Sequence, residues 1–381
     1  MLREAETEER YSRQMRFAPI GPQGQRRLGE ASILVLGAGA LGASLAQHMV
    51  RAGVGRLRLV DRDYVEPSNL HRQTLFDEED AEAALPKAVA AAAKLRRANG
   101  GARIEAFVAD VNGRNVESLV ADVDLVLDGT DNTAVRLLLS DACFSRGIPL
   151  VYGGVAGSGG MSALLVPGDN CCLRCLLGAE ETPDGRESAR TCDTIGVISP
   201  AVELVAALQA AEALKVLTGN RAALRKTWVT LDAWEFGVKE WKLPPPVEAC
   251  PYCGWGEPEH DVASRSSAAA IDGVRLSQED GAQADAEPEV EMPVVLCGRD
   301  TFQLTLDPAV SLAEWRRRLL ADGCVITADN RYLVRALTVG GERIVIFAEG
   351  RSLIQGAGEY DRALAIYRRY LTEREGEGEN G

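Results

Sequence analysis

Gly37-Ala38-Gly39-Ala40-Leu41-Gly42 follows an apolar run, and Asp61 stands nineteen residues after Gly42. Glycines at this spacing let a backbone approach phosphate oxygens at a helix N-terminus, and a carboxylate ending the next strand accepts hydrogen bonds from ribose hydroxyls. The glycines alone do not separate NAD, FAD and ATP, and a tight turn without ligand carries the same pattern. The residues that follow narrow the chemistry. Asn69-Leu70-His71-Arg72-Gln73 and Lys87 offer two fixed cations and two amide side chains near the phosphates, which hydride transfer does not need. Asp128-Gly129-Thr130-Asp131-Asn132 adds two carboxylates where a hard cation such as Mg²⁺ could bridge phosphate oxygens. Each has a plainer reading alone: Arg72 and Lys87 as solvated charges, Asp131 as a helix cap. Together they describe a polyphosphate site.

Cys172-x-x-Cys175 and Cys250-x-x-Cys253 form two paired-thiol knuckles. Four thiolates at such spacing suit a closed, tetrahedral, structural Zn²⁺ site, with no position left open for catalysis. Cys171 is an alternative ligand with poorer spacing. Cys192 differs: it lies in the polar stretch Arg190-Thr191-Cys192-Asp193, where a nearby guanidinium favours the thiolate. Cys143, Cys297 and Cys324 fall in apolar patterns and read as core.

The elements that must position these residues alternate. Strands are expected at Ser32–Gly37, Arg56–Asp61, Arg103–Val111, Val123–Asp128, Pro149–Gly154, Met161–Val166 and Thr227–Leu231, several being near-continuous apolar runs. Helices are expected at Leu41–Ala52, Lys87–Ala98, Thr133–Arg146 and Pro200–Leu217, the last capped by Ser199 and stopped at Gly219. Alternation of this kind predicts an α/β, doubly wound sheet with its ligand beyond the carboxyl ends of the strands.

Residues 1–256 form this domain, and residues 257–291, with ten acids against two Arg, read as an acidic disordered linker. Residues 292–372 read as a small α+β domain with eleven Arg against nine acids. Its strands are expected at Val294–Cys297, Phe302–Leu306, Cys324–Thr327, Tyr332–Val339 and Glu342–Phe347, the last two joined by a Gly340-Gly341 turn. One helix opens with a capping box from Ser311 to Glu314 and stops at Gly323, and another spans Tyr360–Leu371. Residues 373–381 form an acidic tail.

The 381 residues carry a formal charge of −14, which argues against a nucleic-acid or anionic-membrane binder. That acidity resides mostly in the linker and tail; residues 1–256 hold 28 basic and 33 acidic residues, compatible with a local cationic pocket. Neither a signal peptide nor a bilayer-spanning run is evident, so the expectation is a cytoplasmic protein whose nine cysteines are thiols or metal ligands.

Tyr11-Ser12-Arg13-Gln14, Gly37–Gly42, Asp61, Asn69–Gln73, Lys87 and Thr130-Asp131-Asn132 occur in an order and spacing that resemble the MoeB/ThiF/HesA class of adenylyltransferases, relatives of the ubiquitin-activating enzymes. The resemblance covers about residues 8–254. It implies a Rossmann-like adenylation domain that uses ATP to adenylate the C-terminal carboxylate of a small ubiquitin-like carrier protein ending in Gly-Gly, releasing pyrophosphate. It also implies a homodimer in which Arg13 reaches the partner's nucleotide site. Related enzymes carry the same two cysteine pairs, and in some a cysteine placed like Cys192 receives the acyl group. Relatives often append a rhodanese domain. Residues 292–372 do not resemble one, but resemble C-terminal extensions of some bacterial members that could dock the carrier or a sulfur donor such as a cysteine desulfurase or rhodanese. Charge grows on the phosphoryl oxygens and on departing pyrophosphate during such a reaction, so Arg72, Lys87 and Arg13 must already be in place, with Mg²⁺ on Asp131. Adenylation of another carboxylate, on a peptide or a modified tRNA base, and a Rossmann redox or nucleotide-binding protein remain as alternatives.

Overall fold

The computed structural model describes residues 2–178, 195–254, 294–296, 301–306 and 310–372. These fall into two compact units. The N-terminal unit opens with helices α1 (Leu2–Met15) and α2 (Gly21–Glu30), then continues through β1 (Ser32–Leu36), α3 (Ala40–Ala52), β2 (Arg56–Asp61), α4 (Glu78–Glu82), α5 (Lys87–Ala98), β3 (Arg103–Val108), α6 (Val116–Leu119) and β4 (Leu125–Asp128). Helix α7 (Thr133–Ser145), β5 (Leu150–Ala156), β6 (Gly159–Leu165), α8 (Leu173–Leu177), α9 (Ser199–Thr218), β7 (Thr227–Asp232) and β8 (Gly237–Lys242) complete it.

Its eight-stranded sheet runs β3-β2-β1-β4-β5-β6-β7-β8. The first five strands in this order are parallel, and β6, β7 and β8 each pair antiparallel with the strand before, β5 to β6 and β7 to β8 through hairpins and β6 to β7 across the segment that carries α8 and α9. Strand alternation explains the double layer. Ile33 and Val35 of β1 face one core with Leu45 and Met49 of α3, Leu95 of α5 and Val205 of α9, while Leu34 and Leu36 face the other core with Leu139 and Cys143 of α7. The order in which strands are added reverses at β1, which neighbours both β2 and β4 while all three run parallel. A crevice therefore opens beyond the carboxyl ends of β1 and β4, the ligand position of open α/β sheets.

Helix α9 starts at Ser199, so Ser199 is its first helical residue and not its cap. Ile198 holds the cap position in extended backbone, and Gly219, at φ +82°, ends the helix. Helices α1 and α2 and strand β8 lacked an apolar signal: α1 is mostly polar and every residue of β8 is exposed. Among the described residues no helix is long and apolar enough to cross a membrane.

The C-terminal unit is an antiparallel sheet of β9 (Val294–Leu296), β10 (Thr301–Thr305), β11 (Val325–Asp329), β12 (Leu333–Leu337), β13 (Arg343–Phe347) and β14 (Arg351–Gln355), ordered β11-β12-β13-β14-β10-β9. Helices α10 (Leu312–Ala321) and α11 (Tyr360–Tyr370) bury Trp315, Leu319, Ala363, Ile366 and Tyr370 against Phe302, Leu304, Ile344, Ile346 and Ile354. Strand β14 escaped the sequence reading, yet it joins β13 to β10 at the centre of the sheet. Only half of the expected capping box forms: Ser311 accepts from the Glu314 N–H at 3.2 Å, while the Glu314 side chain pairs with Arg317 and Arg318. Cys324 is buried just ahead of β11 rather than within a strand. Cys297 and the linker 257–291 lie outside the described residues.

Candidate active site

At the end of β1 the chain turns sharply into α3. Gly37 has φ +86°, and a Cβ there would sit 2.7 Å from the Gly129 carbonyl oxygen; one on Gly42 would sit 1.8 Å from the Gly37 oxygen. Gly39 is different, because a Cβ there would meet only Gln73 Nε2 at 3.8 Å. The turn is thus closed toward the protein and open at Gly39, where the N-terminus of α3 leaves backbone donors for an anion. Asp61 holds the turn: its oxygens accept from the Ala38 N–H at 2.6 Å and the Asp63 N–H at 2.7 Å. Burial pushes its pKa up against the opposing charge of Lys87. Each oxygen keeps a lone pair for a ribose hydroxyl.

Lys87 begins α5 directly after Pro86, and its side chain is 7% exposed. Its ammonium lies 3.2 Å from Asp63 Oδ2. Burial works against the charge, but Asp63, Asp61 and Asp131 outweigh it and hold the Lys87 pKa above its ordinary value. The Asn69–Gln73 stretch divides by role. Asn69, fully buried in a 3₁₀ turn (Pro67–Asn69), accepts from the Glu66 N–H at 3.3 Å and donates to Ser68 Oγ at 3.4 Å, so its amide serves the turn rather than a free ligand face. Arg72 is half-buried and donates to the Ser68 carbonyl at 3.1 Å. Gln73 is buried, and its Oε1 has no hydrogen-bond partner among the described residues. A buried orphan amide beside the open glycine is what a ligand-binding wall leaves unsatisfied until the ligand arrives.

The two carboxylates at the end of β4 separate. Asp128 is fully buried, accepts from the Thr130 N–H at 2.9 Å and hydroxyl at 2.8 Å, and lies 3.3 Å from Arg136 Nε. Burial pushes its pKa up and Arg136 opposes. Asp128 therefore ties the end of β4 to Arg136, while Asp131 at the same edge is exposed. Asn132, the last residue of the Thr130-Asp131-Asn132 motif, is the cap of α7: its Oδ1 accepts from the Val135 N–H at 3.0 Å. The cap reading weighed for Asp131 thus falls to its neighbour.

Arg136 was missed in the sequence. It donates to the carbonyls of Thr130 and Gly153 and lies 5.4 Å from the Tyr152 ring, tying the Asp131 loop to β5. Asp63 was missed too, because Arg62-Asp63 looks like a solvated charge pair. No local pattern announces either residue.

Arg13 is exposed in the last turn of α1 and makes no hydrogen bond or ion pair among the described residues. Its neighbours are fastened: Tyr11 accepts from Asn99 Nδ2 at 2.7 Å, and Gln14 donates to Gln25 Oε1 at 2.7 Å and to the Ala52 carbonyl at 2.8 Å. The guanidinium is presented outward from an anchored helix end.

Cys172, Cys175, Cys250 and Cys253 converge, with all four sulfurs within 4.8 Å of one another. Cys172 and Cys250 are 3.7 Å apart, and Cys175 and Cys253 3.8 Å. A tetrahedral site with arms of about 2.3 Å has edges of about 3.8 Å, so the set fits a four-thiolate metal site. Cys171 stays outside the cluster. Against burial, the N–H groups of Cys253 and Tyr252 bring the Cys250 thiol down to about 7. Arg174, inside the first knuckle, pairs with Asp141 at 2.7 Å and faces the Tyr252 ring of the second. Burial pushes the Cys143 thiol up, consistent with core. Cys192 and Arg190 lie outside the described residues.

Residues 11–252 match the ThiF family. The chain is 39% identical over 367 residues to the sulfur carrier protein ThiS adenylyltransferase of Bacillus subtilis, covering 95% of this chain and 99% of that protein. It is 38% identical over 250 residues to the SAMP-activating enzyme E1 of Haloferax volcanii, covering 65% and 89%. Among solved structures, Escherichia coli MccB with MccA-N7isoAsn superposes with a TM-score of 0.55 at 21% identity, covering 65% of this chain and 75% of that one.

Proposed function

We infer, from the premise that the chain belongs to the ThiF family, that it is an adenylyltransferase that activates the C-terminal glycine carboxylate of a small sulfur-carrier protein with ATP. The observation that carries this reading is the buried, charged Lys87 at the crevice edge that also holds the open turn at Gly39 and the orphan amide of Gln73. The carrier carboxylate attacks the α-phosphorus, the bond from that phosphorus to the bridging oxygen breaks, and pyrophosphate leaves. The nucleophile is already an anion, so no general base is needed. Lys87 and Arg72 stabilise the charge that develops, and Asp61 orients the ribose. Asp131 is the carboxylate placed to hold Mg²⁺, which would neutralise phosphate charge.

A second copy supplies Arg13. Helix α9 supports this pairing, since it exposes Leu204, Ala207 and Ala211 at helical spacing. The four-thiolate cluster holds structural Zn²⁺. Cys192 is the candidate acceptor: its thiolate would displace AMP from the acyl adenylate to form a thioester, and mass spectrometry should trap that adduct in wild type and not in Cys192→Ala. Persistence of the adduct in the variant would exclude the role.

ATP–pyrophosphate exchange against a panel of carrier proteins with native Gly-Gly ends tests the main reading. Arg72→Ala and Asp131→Ala are each expected to lower exchange at least ~10²-fold, the scale of removing one preorganised charge-stabilising group. Near wild-type exchange in both variants would sink the assignment.

A further inference from the structure

The segment after Asp61 doubles back against the start of α5. Tyr64 and Pro86 form an antiparallel bridge, the Val65 N–H donates to the Leu85 carbonyl at 2.9 Å, and the Lys87 N–H donates to the Asp63 carbonyl at 2.8 Å. This short ladder fixes the two backbones so that Asp63 Oδ2 lies 3.2 Å from Lys87 Nζ. Arg62 Nε lies 3.8 Å from the other Asp63 oxygen. The Lys87 side chain is 7% exposed and that of Asp63 45%, so the ammonium is withdrawn from water while its partner reaches solvent. A buried ammonium is tolerated only with compensating anions, and it holds one direction only when they are fixed.

We propose that Asp63 is a positioning residue that holds the Lys87 ammonium at the nucleotide edge of the sheet, where it meets the triphosphate. The proposal rests on the adenylation reading and deepens it, because Lys87 acts on the substrate and Asp63 acts through Lys87. Asp63, in the loop after β2, is in contact with the ammonium at 3.2 Å, while Asp61 at the end of β2 and Asp131 in the loop after β4 act on its charge from farther off. Asp61 is committed to the glycine turn and Asp131 is the Mg²⁺ candidate, so Asp63, which also pairs with Arg62, is the carboxylate in direct contact with Lys87. When ATP binds, its phosphates add negative charge to the same ammonium, so the need for Asp63 is greatest in the empty enzyme.

The experiment compares wild type, Asp63→Asn and Asp63→Glu by two readouts. One is the pH profile of pyrophosphate exchange with ATP, Mg²⁺ and a carrier. The other is the pH dependence of Lys87 modification by trinitrobenzenesulfonate in nucleotide-free protein, read by peptide mass. Asp63→Asn is expected to move the alkaline limb of kcat/KM for ATP and the onset of modification down by about one pH unit or more. The limb of kcat reports the nucleotide-bound enzyme and should move less. Asp63→Glu should restore both. An unmoved onset of modification in Asp63→Asn overturns the proposal, as does an equal fall of kcat and kcat/KM at every pH with a lowered melting transition. A shifted onset in a protein whose wild type exchanges no pyrophosphate with any carrier would instead overturn the adenylation reading, while supporting the control of Lys87 by Asp63.

Discussion

A methyl group on Gly42 would sit 1.8 Å from the Gly37 carbonyl oxygen, whereas one on Gly39 would meet only the Gln73 amide nitrogen at 3.8 Å. The two substitutions therefore separate fold from ligand. Gly42→Ala is expected to cost about 1–3 kcal/mol or more of stability, as overpacking against a fixed backbone does. Gly39→Ala should leave the melting transition in place and weaken ATP binding at least ~10-fold, about 1.4 kcal/mol. Thermal melts and nucleotide titrations check both, and tight ATP binding by Gly39→Ala would refute the open-turn reading. Residue types at short spacing made the glycines, Arg72 and Lys87 legible in the sequence. The division of labour among neighbours was not legible. Asp131 and Asn132 are adjacent and chemically alike, yet only Asn132 bonds to the α7 backbone. Asn69 and Gln73 are both buried amides, yet only Gln73 keeps an orphan oxygen.

Helix α8 has five residues, too short to persist alone. Its Leu173 N–H donates to Ser140 Oγ of α7 at 3.1 Å, Arg174 pairs with Asp141 of α7, and Cys172 at its cap and Cys175 within it close onto the second knuckle. The four-cysteine cluster is thus a clip between segments 78 residues apart in the chain. Metal analysis is expected to find about one zinc per chain, and chelation or Cys250→Ser should lower the melting transition. A folded protein with well under one zinc per chain would overturn the assignment. At this scale, long apolar strands and amphipathic helices were legible, because burial on a sheet dictates their periodicity. Helix α1 and strand β8 were not. Tyr11 and Gln14 fasten α1 with a few polar contacts, and β8 is defined by pairing with β7 rather than by burial.

In the C-terminal unit one carboxylate ties a hairpin to a helix. Glu342 bonds to the Thr338 hydroxyl across the Gly340-Gly341 turn and accepts from Arg362 Nε of α11 at 2.9 Å. The Thr338 hydroxyl and Arg362 hold its carboxyl at about 2, below the ordinary 4.5. A depressed carboxylate contributes stability that is complete above its unfolded pKa and lost as pH falls through its folded one. The stability difference between full-length wild type and Glu342→Gln should therefore be present at neutral pH and shrink from pH 4.5 toward pH 2. Melting temperatures across that range check it, and a difference independent of pH would refute the role. For the molecule as a whole, the sequence determined the fold class, a polyphosphate site and the four-cysteine set, because apolar periodicity and short motifs are local properties of a chain, and its resemblance to a known family added the adenylyltransferase chemistry. Only the tertiary structure decided that β6, β7 and β8 pair antiparallel with their neighbours, that Asp128 answers to Arg136, and that Lys87 answers to Asp63. Those pairings join residues from different elements, and burial in a shared crevice, which no local spacing encodes, selects the partner.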